Sequence, residues 1–246
     1  MADISKVAIV GAGLVGSGWA IVFARAGMTV RVFDGEASIR ASVLGHLADS
    51  LAELHDIGLV DDVAAVLGRI SVADTLAEAL AEADYIQESV FERTDVKTAV
   101  SLEIDRAMRP EAIVGSSSSG IPASAFTEGC TNRGRFVIAH PVNPPHLVPV
   151  VELVPAPWTD PDVVPAVREL MDHVGQEPVV VYGQALLPRG PGFFAIAGTL
   201  GGEVTAVDPR FAPIIEFEFD DGGRAVSFTI RGPDERIHGT GVRDGG

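Results

Sequence analysis

Residues 6–10, KVAIV, are β-branched and apolar without a break and are closed by Gly11, the pattern of a strand buried on both faces. The apolar positions then change to helical spacing, with Leu14, Ala20, Ile21, Phe23 and Ala24 predicting a helix over 14–26. The same alternation continues. TVRVFD at 29–34 reads as a strand, 38–55 and about 61–67 as helices, and RISVA at 69–73 as a strand. TLAEALAEA at 75–83 is helical, YIQESV at 85–90 a strand, 94–108 a helix, and EAIVGSSSS a strand that runs into a serine-rich loop. RFVIAH and VPVVELV are strands, Asp160 is placed to cap a helix reaching about 174 with Pro161 in its first turn, and EPVVVY at 177–182 is a last strand. Strands and helices alternating at this length predict parallel βαβ units and an open α/β sheet.

The pattern stops near residue 183. Residues 184–202 are rich in Gly and Pro and carry no period. IIEFEFDDGGRAVSFTIRG then alternates strictly, with Ile215, Phe217 and Phe219 on one arm, Asp-Asp-Gly-Gly between, and Val226, Phe228 and Ile230 on the other. That predicts a β-hairpin. The reading is therefore a first domain over 1–183 and a β-rich tail over 184–246, with a frayed end at GTGVRDGG.

The formal net charge of −16 disfavours nucleic acid as a partner, since phosphates need Lys and Arg to neutralise them. Lys6 and Lys97 are the only lysines, so a lysine at a site would stand out. A single cysteine, Cys130, excludes an internal disulfide and a cysteine-based metal cluster, and no metal is expected. The start, MADISKVAIVGAGLVG, has no signal-peptide pattern, and no apolar run is long enough for a bilayer. A cytoplasmic protein away from membranes is the expectation.

Gly11, Gly13 and Gly16 form G-x-G-x-x-G between a strand and a helix, with Leu14 and Val15 between the second and third glycines. The first glycine permits the tight turn, the second a close approach of backbone to a pyrophosphate, and the third close packing of helix on strand. The helix N-terminus then offers free N–H groups to the phosphate. Asp34 ends the second strand, where a carboxylate accepts from a ribose 2′-OH and repels a 2′-phosphate. This predicts a Rossmann-type doubly wound sheet that binds NAD rather than NADP. Arg31 and Arg40 are the neighbours that could weaken that preference.

The stretch IAHPVNPPHLVPVVELVP, 138–155, puts His140 at the end of one strand and Glu152 on the next, with Pro141, Pro144 and Pro145 between. An imidazole titrates near neutrality and suits a general base, and a carboxylate on its other nitrogen would fix the tautomer. Strand ends on the carboxyl side of such a sheet are where ligands bind. From spacing alone, a hydrogen-bonded histidine at a strand end is an equal alternative.

KVAIVGAGLVGSGWA, IQESVFERTDVK, IVGSSSSGIPAS and RFVIAHPVNPPHLVPVVELVP together resemble the L-3-hydroxyacyl-CoA dehydrogenase superfamily over roughly residues 4–183. The tetraserine loop and AHPVNPP look closest to its lambda-crystallin / L-gulonate 3-dehydrogenase branch. The resemblance implies an NAD-dependent oxidation of a 3-hydroxy group to a 3-keto group on a small-molecule substrate. It implies His140 as base, Glu152 as its partner, Ser119 on the substrate oxygen and Asn143 as a supporting group. It also implies Glu88 and Lys97 as a pair on the nicotinamide-ribose side, for which a surface ion pair is the alternative. Ser116–Ser118 could be a plain polar loop. Asp84, Glu92 and Cys130 read as structural, and His46, His55, His146, His173 and His238 as surface or local residues.

Members of that superfamily continue with a G-F-x-x-N-R segment and a helical domain that completes the cleft and builds the dimer. Here PGFFAIAG at 191–198 has Ile196 and Ala197 in place of the Asn and Arg, and the pattern that follows is β. This argues against a family-type homodimer. It leaves open an active dehydrogenase, a nucleotide-binding remnant without useful catalysis, or a tail serving as an interaction module.

Overall fold

The computed structural model describes residues 4–181 and, beyond them, the backbone of 184–190, 193–200, 203–206, 214–219, 225–231 and 237–242. The chain divides into two compact units, Met1–Val180 and Val181–Gly246.

The first unit is an eight-stranded sheet. Its strands are β1 (Lys6–Val10), β2 (Thr29–Phe33), β3 (Ile70–Val72), β4 (Tyr85–Glu88), β5 (Ile113–Ser116), β6 (Phe136–Pro141), β7 (Val150–Pro155) and β8 (Glu177–Val180), in the order β3-β2-β1-β4-β5-β6-β7-β8. The helices are α1 (Leu14–Arg25), α2 (Ala37–Asp56), α3 (Val63–Leu67), α4 (Leu76–Leu80), α5 (Thr94–Ala107) and α6 (Val163–His173). Strand β1 shows why both faces must be covered. Val7 and Ile9 join the cluster built with Trp19, Phe23, Leu47 and Val167, while Ala8 and Val10 join the cluster with Leu80, Ile104 and Met108. The expected doubly wound α/β sheet is thus present, with α1, α2 and α6 on one face and α4 and α5 on the other.

Two details differ from the sequence pattern. Strand β7 pairs antiparallel with β6, so the sheet is mixed rather than parallel throughout. A parallel return needs a crossover of a dozen or more residues, and the proline-rich connector 142–149 is too short to make one. Helix α6 begins at Val163, after Asp162, and Asp160 does not cap it. The Asp160 N–H donates to Gly134 O at 2.8 Å, and its carboxylate lies 3.8 Å from Arg135. Elsewhere the caps are ordinary: Asp62 accepts from Ala65 N at 2.9 Å and Thr75 from Glu78 N at 3.1 Å.

The second unit is an antiparallel sheet of β9 (Gln184–Gly190), β10 (Phe193–Leu200), β11 (Glu203–Ala206), β12 (Ile214–Phe219), β13 (Ala225–Arg231) and β14 (Ile237–Val242). The two alternating arms pair as β12 and β13, with Phe217 opposite Phe228. The Asp-Asp-Gly-Gly turn at 220–223 lies outside the described residues, as do Tyr182 and Gly192. Among the described residues no helix is long and apolar enough to cross a membrane.

Candidate active site

The glycine loop is held by backbone geometry. Gly11 has φ +94°, where an L side chain is strained, and its N–H donates to Phe33 O at 2.9 Å. A Cβ on Gly16 would lie 1.8 Å from Gly11 O, so helix α1 can approach the loop only with glycine there. At Gly13 an added Cβ would have no neighbour within 4 Å, which leaves that side of the loop open to a ligand. No side chain caps α1, and the N–H groups of Leu14, Val15 and Gly16 have no partner among the described residues. Leu14 is 84% exposed beside them. Unpaired N–H groups and the positive end of a helix form an anion site.

Asp34 leaves β2 and turns back onto this loop. Its Oδ2 accepts from Ala12 N at 2.8 Å and its Oδ1 from Glu36 N at 2.9 Å. Each oxygen keeps a lone-pair direction free for a ribose hydroxyl. Of the two arginines that could weaken the NAD preference, Arg31 is tied to Glu82 and to Glu78 O. Arg40 stays at the Asp34 corner, donating to the carbonyls of Asp34 and Gly35 and lying 5.7 Å from the Phe33 ring centroid.

Two strands along from β4, the antiparallel register places His140 directly opposite Glu152, and His140 Nδ1 lies 3.1 Å from Glu152 Oε2. A carboxylate can only accept there, so Nδ1 carries the proton and Nε2 presents its lone pair. The histidine side chain is 30% exposed, open enough for a substrate to reach it. The spacing of twelve residues that posed alternatives in sequence is a cross-strand pair in space.

The serine loop rises from β5, the parallel neighbour of β6, at the same sheet edge. Glu92 holds it. One carboxylate oxygen, Oε1, accepts from Ser118 Oγ at 2.8 Å, Ser119 N at 2.9 Å and Gly120 N at 2.9 Å, with Ser119 Oγ at 3.5 Å. Burial opposes the charge of Glu92, but the Gly120 N–H, the Ser118 hydroxyl, Lys97 and the Ser119 N–H outweigh it and hold the carboxyl down at about 2. Sequence had placed Glu92 among the structural residues; it anchors the loop that carries Ser119. Its one visible signal was its position four residues after Glu88, in the loop leaving β4.

Lys97 bridges the two carboxylates. Its Nζ is 3.0 and 3.1 Å from the Glu88 oxygens and 3.4 Å from Glu92 Oε2. Glu88 also accepts from Val90 N at 2.7 Å and from Ser116 Oγ. The surface-pair alternative is corrected here, because Lys97 and Glu88 side chains are 1% and 2% exposed. They form the floor beneath the serine loop, and Glu92, 39% exposed, is the member of the triad open to solvent. Ser116–Ser118 is not a plain polar loop either, since each hydroxyl is hydrogen-bonded within the fold.

Asn143 is exposed and has no side-chain partner among the described residues. Asp84 serves the opposite sheet edge, accepting from Ser5 N, Lys6 N and Arg109. Cys130 is buried, and burial together with Asp105 pushes its thiol up to about 11, as a structural residue. His146 differs from a surface residue: it is half-buried, its Nδ1 lacks a partner, and burial and Arg25 lower its pKa. Among the described residues no group of three or more His, Cys, Asp or Glu is placed to hold a metal.

A family model described as 3-hydroxyacyl-CoA dehydrogenase, NAD binding domain, matches residues 6–185. The chain is 38% identical over 185 residues to an L-carnitine dehydrogenase of Mesorhizobium japonicum, covering 74% of this chain and 50% of that protein. It is 36% identical over 178 residues to the lambda-crystallin homolog of Mus musculus, covering 71% and 56%. A solved (S)-3-hydroxybutyryl-CoA dehydrogenase from Ralstonia eutropha is similar with a TM-score of 0.69 at 28% identity, covering 73% of this chain and 64% of that one. The chain spans about half the length of the curated relatives it matches. The cofactor is NAD, and the open Gly13 face, the unpaired N–H groups of α1 and the locked Asp34 fit its pyrophosphate and adenosine ribose.

Proposed function

Because the chain belongs to the 3-hydroxyacyl-CoA dehydrogenase family through its NAD binding domain, we propose that it is an oxidoreductase converting a 3-hydroxy group to a 3-keto group on a small acid or an acyl-CoA. The observation that carries this is the His140–Glu152 pair at 3.1 Å, on the same sheet edge as the glycine loop. NAD, when bound, supplies a hydride acceptor. His140 Nε2 takes the hydroxyl proton, and Glu152 holds Nδ1–H and stabilises the imidazolium that forms. Ser119, on the loop clamped by Glu92, steadies the substrate oxygen, and Asn143 supports the substrate from the connector. In the reverse direction the imidazolium returns its proton to the alkoxide. The substrates that fit are 3-hydroxyacyl-CoA, L-gulonate and L-carnitine, the last a 3-hydroxy acid named in several relatives.

A second reading, nucleotide binding without turnover, is favoured by one observation. Residues 193–200 and 203–206 form strands where the family resemblance implied helices that complete the substrate cleft. One experiment separates the readings: the full chain is titrated with NADH, then assayed for NAD reduction with 3-hydroxybutyryl-CoA, L-gulonate and L-carnitine. NADH binding with turnover of one of them is expected. Binding with no turnover of any supports the second reading, and no binding removes both.

A further inference from the structure

Below the serine loop lies a chain of hydrogen bonds that the proposed chemistry does not use. Ser117 Oγ is 3.2 Å from Trp19 Nε1, 2.8 Å from Gln87 Nε2 and 2.8 Å from Ser89 Oγ. The direction of each bond can be worked out. Gln87 Nε2 also lies 3.3 Å from the Ala139 carbonyl, which can only accept, so the amide nitrogen is on that side and Oε1 receives the Tyr85 hydroxyl at 2.7 Å. The indole N–H can only donate. Ser117 therefore receives two donors, which fill both lone pairs of its oxygen. Its own proton has one place left to go, Ser89 Oγ. Ser89 then accepts from Ser117, and its O–H must point elsewhere. It has no acceptor among the described residues.

The location of that hydroxyl defines its target. Ser89 follows β4, its N–H donates to Val10 O at 2.7 Å, and a Cβ on Gly11 would fall 2.7 Å from the Ser89 carbonyl. It thus packs against the first glycine of the nucleotide loop. Asp34, which meets the adenosine ribose, follows β2 on one side of β1, and Ser89 follows β4 on the other. A dinucleotide whose pyrophosphate sits over the end of β1 must send its second nucleoside toward β4, β5 and β6, where Ser119 and His140 stand. We infer that the Ser89 hydroxyl is a pre-oriented donor to an oxygen of the nicotinamide half of NAD, its proton aimed by Ser117, Gln87 and Trp19. This rests on NAD as the cofactor and adds a positioning chain from the core to that cofactor.

The test is calorimetric titration of the full chain, Ser89→Ala and Ser89→Cys with AMP, ADP-ribose and NADH. Cysteine keeps an acceptor for Ser117 but is a weak donor, so it separates the two roles of the hydroxyl and serves if the alanine variant does not fold. Both variants should bind NADH and ADP-ribose about five- to tenfold more weakly, the effect of one lost hydrogen bond, and AMP within about twofold of the parent. NADH binding within about twofold of the parent in either variant overturns the inference. So does an equal loss for AMP, which would mark a purely structural role. A parent that binds no NADH overturns it together with the cofactor assignment.

Discussion

Glu92→Gln removes the charge that clamps the serine loop and keeps the size of the side chain. In the folded protein the carboxyl sits at about 2 instead of 4.5, because three loop donors and Lys97 outweigh its burial. A difference of that size corresponds to roughly 3 kcal/mol, but the side chain is 39% exposed, and solvent screening reduces the expected loss to about 1–2 kcal/mol. The sign follows from linkage. The folded pKa is depressed, so the contribution is complete above about pH 4.5 and disappears as the pH falls toward 2. Urea unfolding of parent and variant at neutral pH and near pH 3.5 measures it. The stability gap should shrink by roughly two-fifths at the lower pH, since the unfolded carboxyl has taken up most of its proton there and the folded one has not. Turnover should fall as well, because Ser119 loses its fixed position. A gap of the same size at both pH values would refute the reasoning, as would a variant as stable as the parent.

His140→Ala should lower turnover by about 10²–10⁴-fold with NADH affinity nearly unchanged, as steady-state kinetics and a binding titration would show. Asp34→Asn keeps an acceptor for Ala12 N and removes the charge, so the preference for NADH over NADPH should narrow in competition titrations; an unchanged ratio would remove Asp34 from cofactor choice. Lys97→Met leaves Glu88 buried without its cation, and thermal or urea unfolding should show a loss of roughly 3–5 kcal/mol.

The architecture was legible wherever one local pattern sufficed. The unbroken KVAIV run, the helical spacing after it and the strict alternation at 214–231 each correspond to an observed element. What local pattern could not show was direction and competition. Nothing in VPVVELV marks it as antiparallel; its direction comes from the shortness of the connector before it. Asp160 had the right chemistry to cap a helix, but Gly134 and Arg135, distant in sequence, took up its N–H and carboxylate.

The site divides along the same line. Gly11, Gly13, Gly16, Asp34, His140 and Glu152 sit on strand ends or in the loop after a strand, so strand prediction alone brought them to one edge. Glu92 and Ser117 were opaque because their meaning lies in bonds that span 26 and 98 residues, to Ser118 and to Trp19. Lys97 stood between the two cases: its rarity drew attention, and Glu88 was named as its partner, but the burial that makes the pair matter could not be read. A lysine 1% exposed must keep carboxylates within reach, and one carboxylate buried with it is already neutralised. A second, Glu92, can therefore spend its charge on the backbone N–H groups of Ser119 and Gly120. The buried pair fixes the floor, and the half-exposed acid converts that rigidity into a fixed position for the hydroxyl that meets substrate.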